Sequence, residues 1–169
     1  MQQGRWTGLR RLLAAVAAAA PISAIAAPTL AVHVERLSLQ GALRAARAAI
    51  AACDDLGLQV AVTVVDRDGQ PQVMLRDVLA PPLSARVSRA KAYTAASFDA
   101  STSRLLARAG SPLAHMPGVL FEAGGVPIEA AGSLFGAIGV SGAPSGATDE
   151  RCARAGALAI EGELEMMQP

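Results

Sequence analysis

Two features of this sequence bear on chemistry before any fold is considered: a cation set among small residues, and a crowd of glycines further along. Lys91 stands within Ala90-Lys91-Ala92-Tyr93-Thr94-Ala95, a setting that partly encloses its ammonium. A lysine withdrawn from water needs a counter-charge, which here is either a carboxylate of the chain, such as Asp149 or Glu150, or an anionic ligand. Six glycines lie between positions 124 and 142, in Gly124-Gly125-Val126-Pro127-Ile128 and on through Gly136-Ala137-Ile138-Gly139-Val140-Ser141-Gly142. Bare main chain at that density serves tight turns, a subunit contact, or a pocket floor that a ligand approaches closely.

Other chemistries fall away on inspection. Gly139-Val140-Ser141-Gly142-Ala143 is one residue short of a nucleophile elbow, and no histidine follows Ser141 to activate it. There is no C-x-x-C-H, no H-E-x-x-H and no phosphate loop ending in Lys-Ser/Thr. The only histidines are His33 and His115, and His115, ahead of a Pro-Gly turn, is both a candidate nitrogen donor and an ordinary hydrogen-bonded loop residue. Met116 and Tyr93 read as packing residues.

The elements that would position these groups follow from pattern. Ser38 caps a helix whose Leu39, Leu43, Ala46, Ile50 and Cys53 share one face, ended by Gly57. Val60 to Val65 is a central strand, apolar on both faces, and Asp66-Arg67-Asp68-Gly69 turns it into a second strand, Gln70 to Arg76. After Pro81-Pro82, Ser84 caps a helix toward Phe98, and a short helix covers Thr102 to Ala109. Strands near Val119 to Glu122, Val126 to Glu129 and Ser133 to Val140 precede a last helix capped by Thr148. Without regular βαβ alternation, this order gives an α+β protein with about five strands, mostly antiparallel. The N- and C-terminal helices pack on the sheet, and two helices are inserted after the first hairpin.

The first 26 residues read as an export signal: Arg5, Arg10 and Arg11, an apolar run from Leu12 to Ala20, and Ala24-Ile25-Ala26 as the cleavage site. That run falls short of the about 20 residues a membrane span needs, so no stable anchor is expected. The protein is then periplasmic or secreted, with residues 27–36 a flexible leader and 37–169 one domain. Three of the 15 basic residues leave with the signal, so 12 face 14 acidic ones and the net charge becomes −2. Neither charge nor aromatic content suits a nucleic-acid binder. Small side chains bury little area each, which points to stabilisation by homo-oligomerisation. In an oxidising compartment Cys53 and Cys152 form one disulfide or remain two buried thiols; both readings stand.

Ser88-Arg89-Ala90-Lys91-Ala92-Tyr93-Thr94-Ala95-Ala96-Ser97-Phe98, Ala114-His115-Met116-Pro117-Gly118, the two glycine blocks and Asp149-Glu150 together resemble the GlcG/HbpS-like haem-binding family, over roughly residues 37 to 165. The resemblance implies a profilin-like fold, homo-oligomers and, for some members, non-covalent haem binding, with haem degradation or extracellular redox sensing proposed. A tetrapyrrole needs an apolar slot, cations for two propionates and an axial ligand. Arg86, Arg89 and Lys91 offer charge, Thr94, Gly125 and Gly142 line the expected cavity between helix and glycine strands, and His115 is the candidate iron ligand. Three functions follow: an exported binder of haem or a related tetrapyrrole, an enzyme acting on haem or a small organic anion, or a redox- or iron-sensing interaction module.

Overall fold

The computed structural model describes residues 30–31 and 34–167. The expected signal peptide, residues 1–26, lies outside them, as does much of the leader. From Val34 the chain forms one compact unit. Leu37 is already buried, and Arg36 pairs with both Asp66, at 3.0 Å, and Asp68.

The first helix, α1, runs Leu39–Asp54, with Ser38 accepting the Gly41 N–H at 3.1 Å as expected of a cap. Its buried face overlaps the expected one at Ala46 and Cys53 but is centred on alanines rather than on the leucines and isoleucine. Ala42, Ala45, Ala46, Ala49 and Cys53 are buried, whereas Leu39 is exposed and Leu43 and Ile50 are half-buried. Alanine wins the inner face because another helix crosses there: a Cβ on Gly156 would lie 2.7 Å from the Ala45 carbonyl oxygen and 2.9 Å from Ala49 Cβ.

Strand β1, Ala61–Asp66, and strand β2, Pro71–Arg76, form the expected hairpin. Its turn is held by Asp66 Oδ1, which accepts the N–H groups of Asp68 and Gln70, each at 2.9 Å, and by Gly69 at φ +78. Helix α2 spans Pro82–Phe98. It starts earlier than Ser84, because Pro82 at its first position needs no N–H partner there; Ser84 instead bonds back to the Pro81 carbonyl. The short helix after it is a 3-10 helix, Thr102–Arg108, and a second 3-10 helix covers Pro112–His115.

Four strands are present among the described residues, not five: the segment at Val119 to Glu122 is irregular, and its Leu120 N–H bonds to the Thr94 hydroxyl instead of a neighbouring strand. Strand β3, Gly125–Ala130, and strand β4, Ser133–Ser141, are joined at Ala131 and Gly132, both at positive φ, the turn type that suits a tight hairpin. The sheet order is β2-β1-β4-β3, antiparallel throughout, so β1 is central and Pro127 sits on the edge strand. Helix α3, Gly146–Met167, begins after Ser145, whose hydroxyl accepts the Thr148 N–H at 3.2 Å; the cap is Ser145 rather than Thr148.

The helices take opposite sides of the sheet. α1 and α3 cover one face, where Val62, Val64, Ile128, Ile138 and Val140 form the main core, each contributing about 1.5–3 kcal/mol by burial. α2 covers the other face through Ala92, Ala95 and Ala96 against Val65 and Ala137, so it is a full layer rather than an insertion. Cys53 and Cys152 are joined in a disulfide linking α1 to α3, with Cα atoms 5.6 Å apart and both residues buried.

Candidate functional site

Lys91, the only lysine of the sequence, points into the protein. Its Nζ donates to Asp149 Oδ2 at 2.7 Å, with the two side chains 3% and 4% exposed. Asp149 Oδ1 accepts the Ala143 N–H at 3.0 Å. Burial pushes the Asp149 carboxyl up from its ordinary range, opposed by the hydrogen bond and charge of Lys91 and by the Ala143 N–H. Of the two partners expected for the lysine, the carboxylate is the one it has. Glu150 has other work: its Oε1 accepts the Ser103 hydroxyl at 2.7 Å, and its Oε2 accepts the N–H groups of Ser103 at 3.2 Å and Gly124 at 3.3 Å.

The cavity expected between this cation and the glycine strands is filled by α2 itself. A Cβ on Gly139 would run into the Ser88 carbonyl and lie 2.5 Å from the Ala92 nitrogen, and one on Gly125 would overlap the Lys91 carbonyl. A Cβ on Gly124, at φ +128, would lie 2.7 Å from the Lys91 Nζ and 2.8 Å from the Val140 carbonyl oxygen. The bare main chain is therefore approached by a helix backbone, with the ion pair set in the gap left at Gly124. Gly125 donates its N–H to Thr102 Oγ1 at 2.9 Å. Thr94 is buried, donating to the Ala90 carbonyl and accepting from the Leu120 N–H, both at 2.8 Å. Gly142, at φ +135, is exposed, and a Cβ there would meet the Gln59 carbonyl oxygen at 2.8 Å. Of the expected site residues, Lys91, Thr94 and Gly125 thus share one buried region but spend their polar groups on the protein.

Arg89 lies elsewhere. It lines an open groove of about 690 Å3 along the other side of α2, together with Leu83, Arg86, Tyr93, Val119 and Leu120. Leu83, Arg86, Val87, Ala90 and Tyr93 recur at the three- and four-residue spacing of one helical face. The opposite wall is the irregular segment after the second 3-10 helix, starting at Pro117. His115 ends that 3-10 helix, is exposed, and is not part of the lining. Leu83 is 64% exposed at the groove, and Val78 and Leu79, just before α2, are 83% and 78% exposed. Tyr93, read from sequence as a packing residue, turns out to form part of the lining. The signal that could have exposed this face was the Leu83, Val87, Ala90 stripe, obscured by the alanines that α2 carries on every side.

Among the described residues, no group of three or more His, Cys, Asp or Glu could hold a metal ion, and no helix is long and apolar enough to cross a membrane. What the groove offers is an apolar surface with two guanidinium groups, within the about 300–1,000 Å3 usual for small-molecule sites.

No curated protein matches this chain. Solved structures do. A double mutant of HbpS from Streptomyces reticuli is 44% identical, with a TM-score of 0.74 over 85% of this chain and 98% of that one. The PduOC:haem complex is 28% identical, with a TM-score of 0.69 over 74% of this chain and 95% of that one. The ORFY protein of Klebsiella pneumoniae, 23% identical over 79% of this chain and 97% of that one, shares the fold with a TM-score of 0.73. The family model described as "Haem degrading protein HbpS-like" matches residues 37–158. Matched across most of its length by that model, and 44% identical to HbpS itself, the chain belongs to the HbpS-like family.

Proposed function

We propose that this protein binds haem, or a related tetrapyrrole, non-covalently in the groove beside α2, as an exported homo-oligomer. The observation that carries the reading is the lining: apolar side chains from Leu83 to Leu120 with Arg86 and Arg89 among them, which suits an apolar macrocycle carrying two carboxylates. A relative solved as a haem complex and a family described as haem degrading support it. Export rests on the signal-like first 26 residues, and oligomerisation on the exposed Val78, Leu79 and Leu83 beside the groove.

Haem would supply an iron centre when bound. The chain's own part is to exclude water along the Leu83, Val87 and Leu120 surface and to hold the propionates through Arg86 and Arg89. Lys91 and Thr94 act behind this surface, fixing α2 and tying the Leu120 backbone to it. His115, the nitrogen donor expected from sequence, stands two residues before Pro117 and outside the lining.

Titrating the metal-free protein with ferric haem, and following the Soret band, tests the reading. Arg86→Ala and Arg89→Ala should each weaken binding by about tenfold or more, the worth of one charge-assisted hydrogen bond, while leaving the melting temperature near wild type. Saturation with unchanged affinity in the double variant would remove the groove as the site. Binding of small organic acids in place of haem would favour the organic-anion reading.

A further inference from the structure

Tyr93 is the one lining residue of the groove with a side chain of a type that ligates haem iron; the others are Leu, Val, Ala, Pro, Gly and Arg. Its ring is held by both edges. A Cβ added at Gly69 would lie 2.7 Å from Cδ2 and 3.0 Å from Cε2, and one added at Gly118 would lie 3.5 Å from Cδ1 and 3.6 Å from Cε1. The ring therefore sits between the β1–β2 turn and the Pro117-Gly118 turn. Both glycines are at positive φ, +78 and +85, so the two turns pass the ring where a side chain would block it. No described residue hydrogen-bonds the Tyr93 hydroxyl. A phenol with a fixed ring and an oxygen that no described residue engages, in a groove whose other polar side chains are the cationic Arg86 and Arg89, is preorganised to ligate a metal centre held there.

Resting on the reading that the groove takes haem, we propose that Tyr93 is its iron-ligating residue, in place of His115, and that the site is selective for the ferric state. The phenol O–H bond breaks, the oxygen bonds to ferric iron in place of a water molecule, and the proton passes to solvent; the iron is neither oxidised nor reduced. An anionic oxygen donor favours the more highly charged iron. Because one proton leaves for each haem bound through this oxygen, ligation strengthens as pH rises.

The test compares full-length mature wild type, Tyr93→Phe and His115→Ala, each titrated with ferric and with ferrous haem between pH 6 and 8. Tyr93→Phe keeps the ring that the two turns enclose. The expected results are phenolate modes in the resonance Raman spectrum of the wild-type ferric complex and an affinity ratio of wild type to Tyr93→Phe that rises by about tenfold per pH unit. Ferrous haem should bind the two proteins alike, and His115→Ala should match wild type. Absence of phenolate modes from the wild-type complex overturns the assignment without any variant. A Tyr93→Phe protein with wild-type spectrum and affinity, beside a His115→Ala protein that loses both, gives the iron to His115 and leaves the groove standing. A wild type that binds no haem at all removes the groove reading and this assignment together.

Discussion

Replacing Lys91 by methionine should cost the fold heavily while leaving ligand binding by the surviving native protein intact. The side chains of Lys91 and Asp149 are 3% and 4% exposed and meet at 2.7 Å, so the variant leaves a carboxylate in a place almost without water. Removal of one partner from such a pair costs about 3–5 kcal/mol, a large share of the about 5–15 kcal/mol that holds a typical domain. Adding Asp149→Asn should recover a good part of the loss, because its Oδ1 can still accept the Ala143 N–H that lies 3.0 Å away, and only the side-chain amide is left short of a partner. The pH dependence has a definite sign. Burial already raises the Asp149 carboxyl above its ordinary 3.8, and without the lysine only the Ala143 N–H opposes that, so the folded variant takes up a proton more readily than the unfolded chain. The stability deficit of Lys91→Met should therefore shrink below the ordinary carboxyl range and grow as pH rises above it, whereas the double variant should show no such slope. Urea unfolding followed by circular dichroism at pH 4 and pH 7 reads both quantities. If Lys91→Met lost less than about 1 kcal/mol at pH 7 and bound haem poorly, the ammonium would be facing a ligand rather than Asp149, and the placement argued above would be wrong.

Glycine positions should divide by what stands in front of them. Gly139→Ala, whose Cβ would meet α2 backbone, should cost about 3 kcal/mol or more by overpacking, against about 1 kcal/mol for Gly57→Ala, which has φ +70 but no atom within 4 Å, as read from melting temperatures. Cys53→Ala with Cys152→Ala should lose up to about 4–5 kcal/mol, the loop entropy released by opening a bridge that spans 99 residues, and the native wild type should resist thiol reductants because the bridge is buried. Burial and the neighbouring Asp99 carboxyl raise Glu129, with Glu161 adding and Arg104 opposing, while burial raises Glu161 against the Glu129 N–H and Arg154, with Glu165 adding. Raised carboxyls favour the folded state while protonated, so stability should fall as pH rises from about the ordinary 4.5 of these groups, and Glu129→Gln should flatten that fall in unfolding curves taken from pH 4 to 7.

Much of the frame was legible in the sequence because local chemistry decided it. Ser38 as a cap, the Asp66 to Gly69 turn and the mostly apolar, β-branched β1 each follow from residue types acting within a few positions. For Lys91 the sequence left a choice between a carboxylate, Asp149 or Glu150, and an anionic ligand, and only the packing of α2 on the sheet decides it for Asp149. What escaped depended on which surfaces meet. Leu39, Leu43 and Ile50 outrank alanine in hydrophobicity, yet the alanines of α1 are buried, because contact distance to Gly156 rather than side-chain size selects the inner face. The stretch at Val119 to Glu122 has strand-like composition, but Thr94 takes the Leu120 N–H that a strand would offer to a neighbour. The glycines signalled close approach correctly; sequence alone could not say that the approaching backbone was α2.

That distinction decides where a guest can sit. α2 carries small or polar residues on nearly every face, so composition gives no inside and outside, and the glycine track of β3 and β4 settles it. Ser88, Lys91, Ala92 and Ala95 are drawn against the sheet, with the Thr63 and Ser88 hydroxyls 2.8 Å apart. Once the helix is seated by these contacts, Leu83, Arg86, Ala90 and Tyr93 must face outward, opposite the segment that Thr94 holds through Leu120. The ion pair and the groove are then two consequences of one packing event: the first spends the buried charge on the fold, and the second leaves two arginines and one phenol available. Substitutions on the inner face should move stability and binding together, through loss of the seated helix. Those on the outer face should move binding alone, a separation that a ligand site built around Lys91 would not permit.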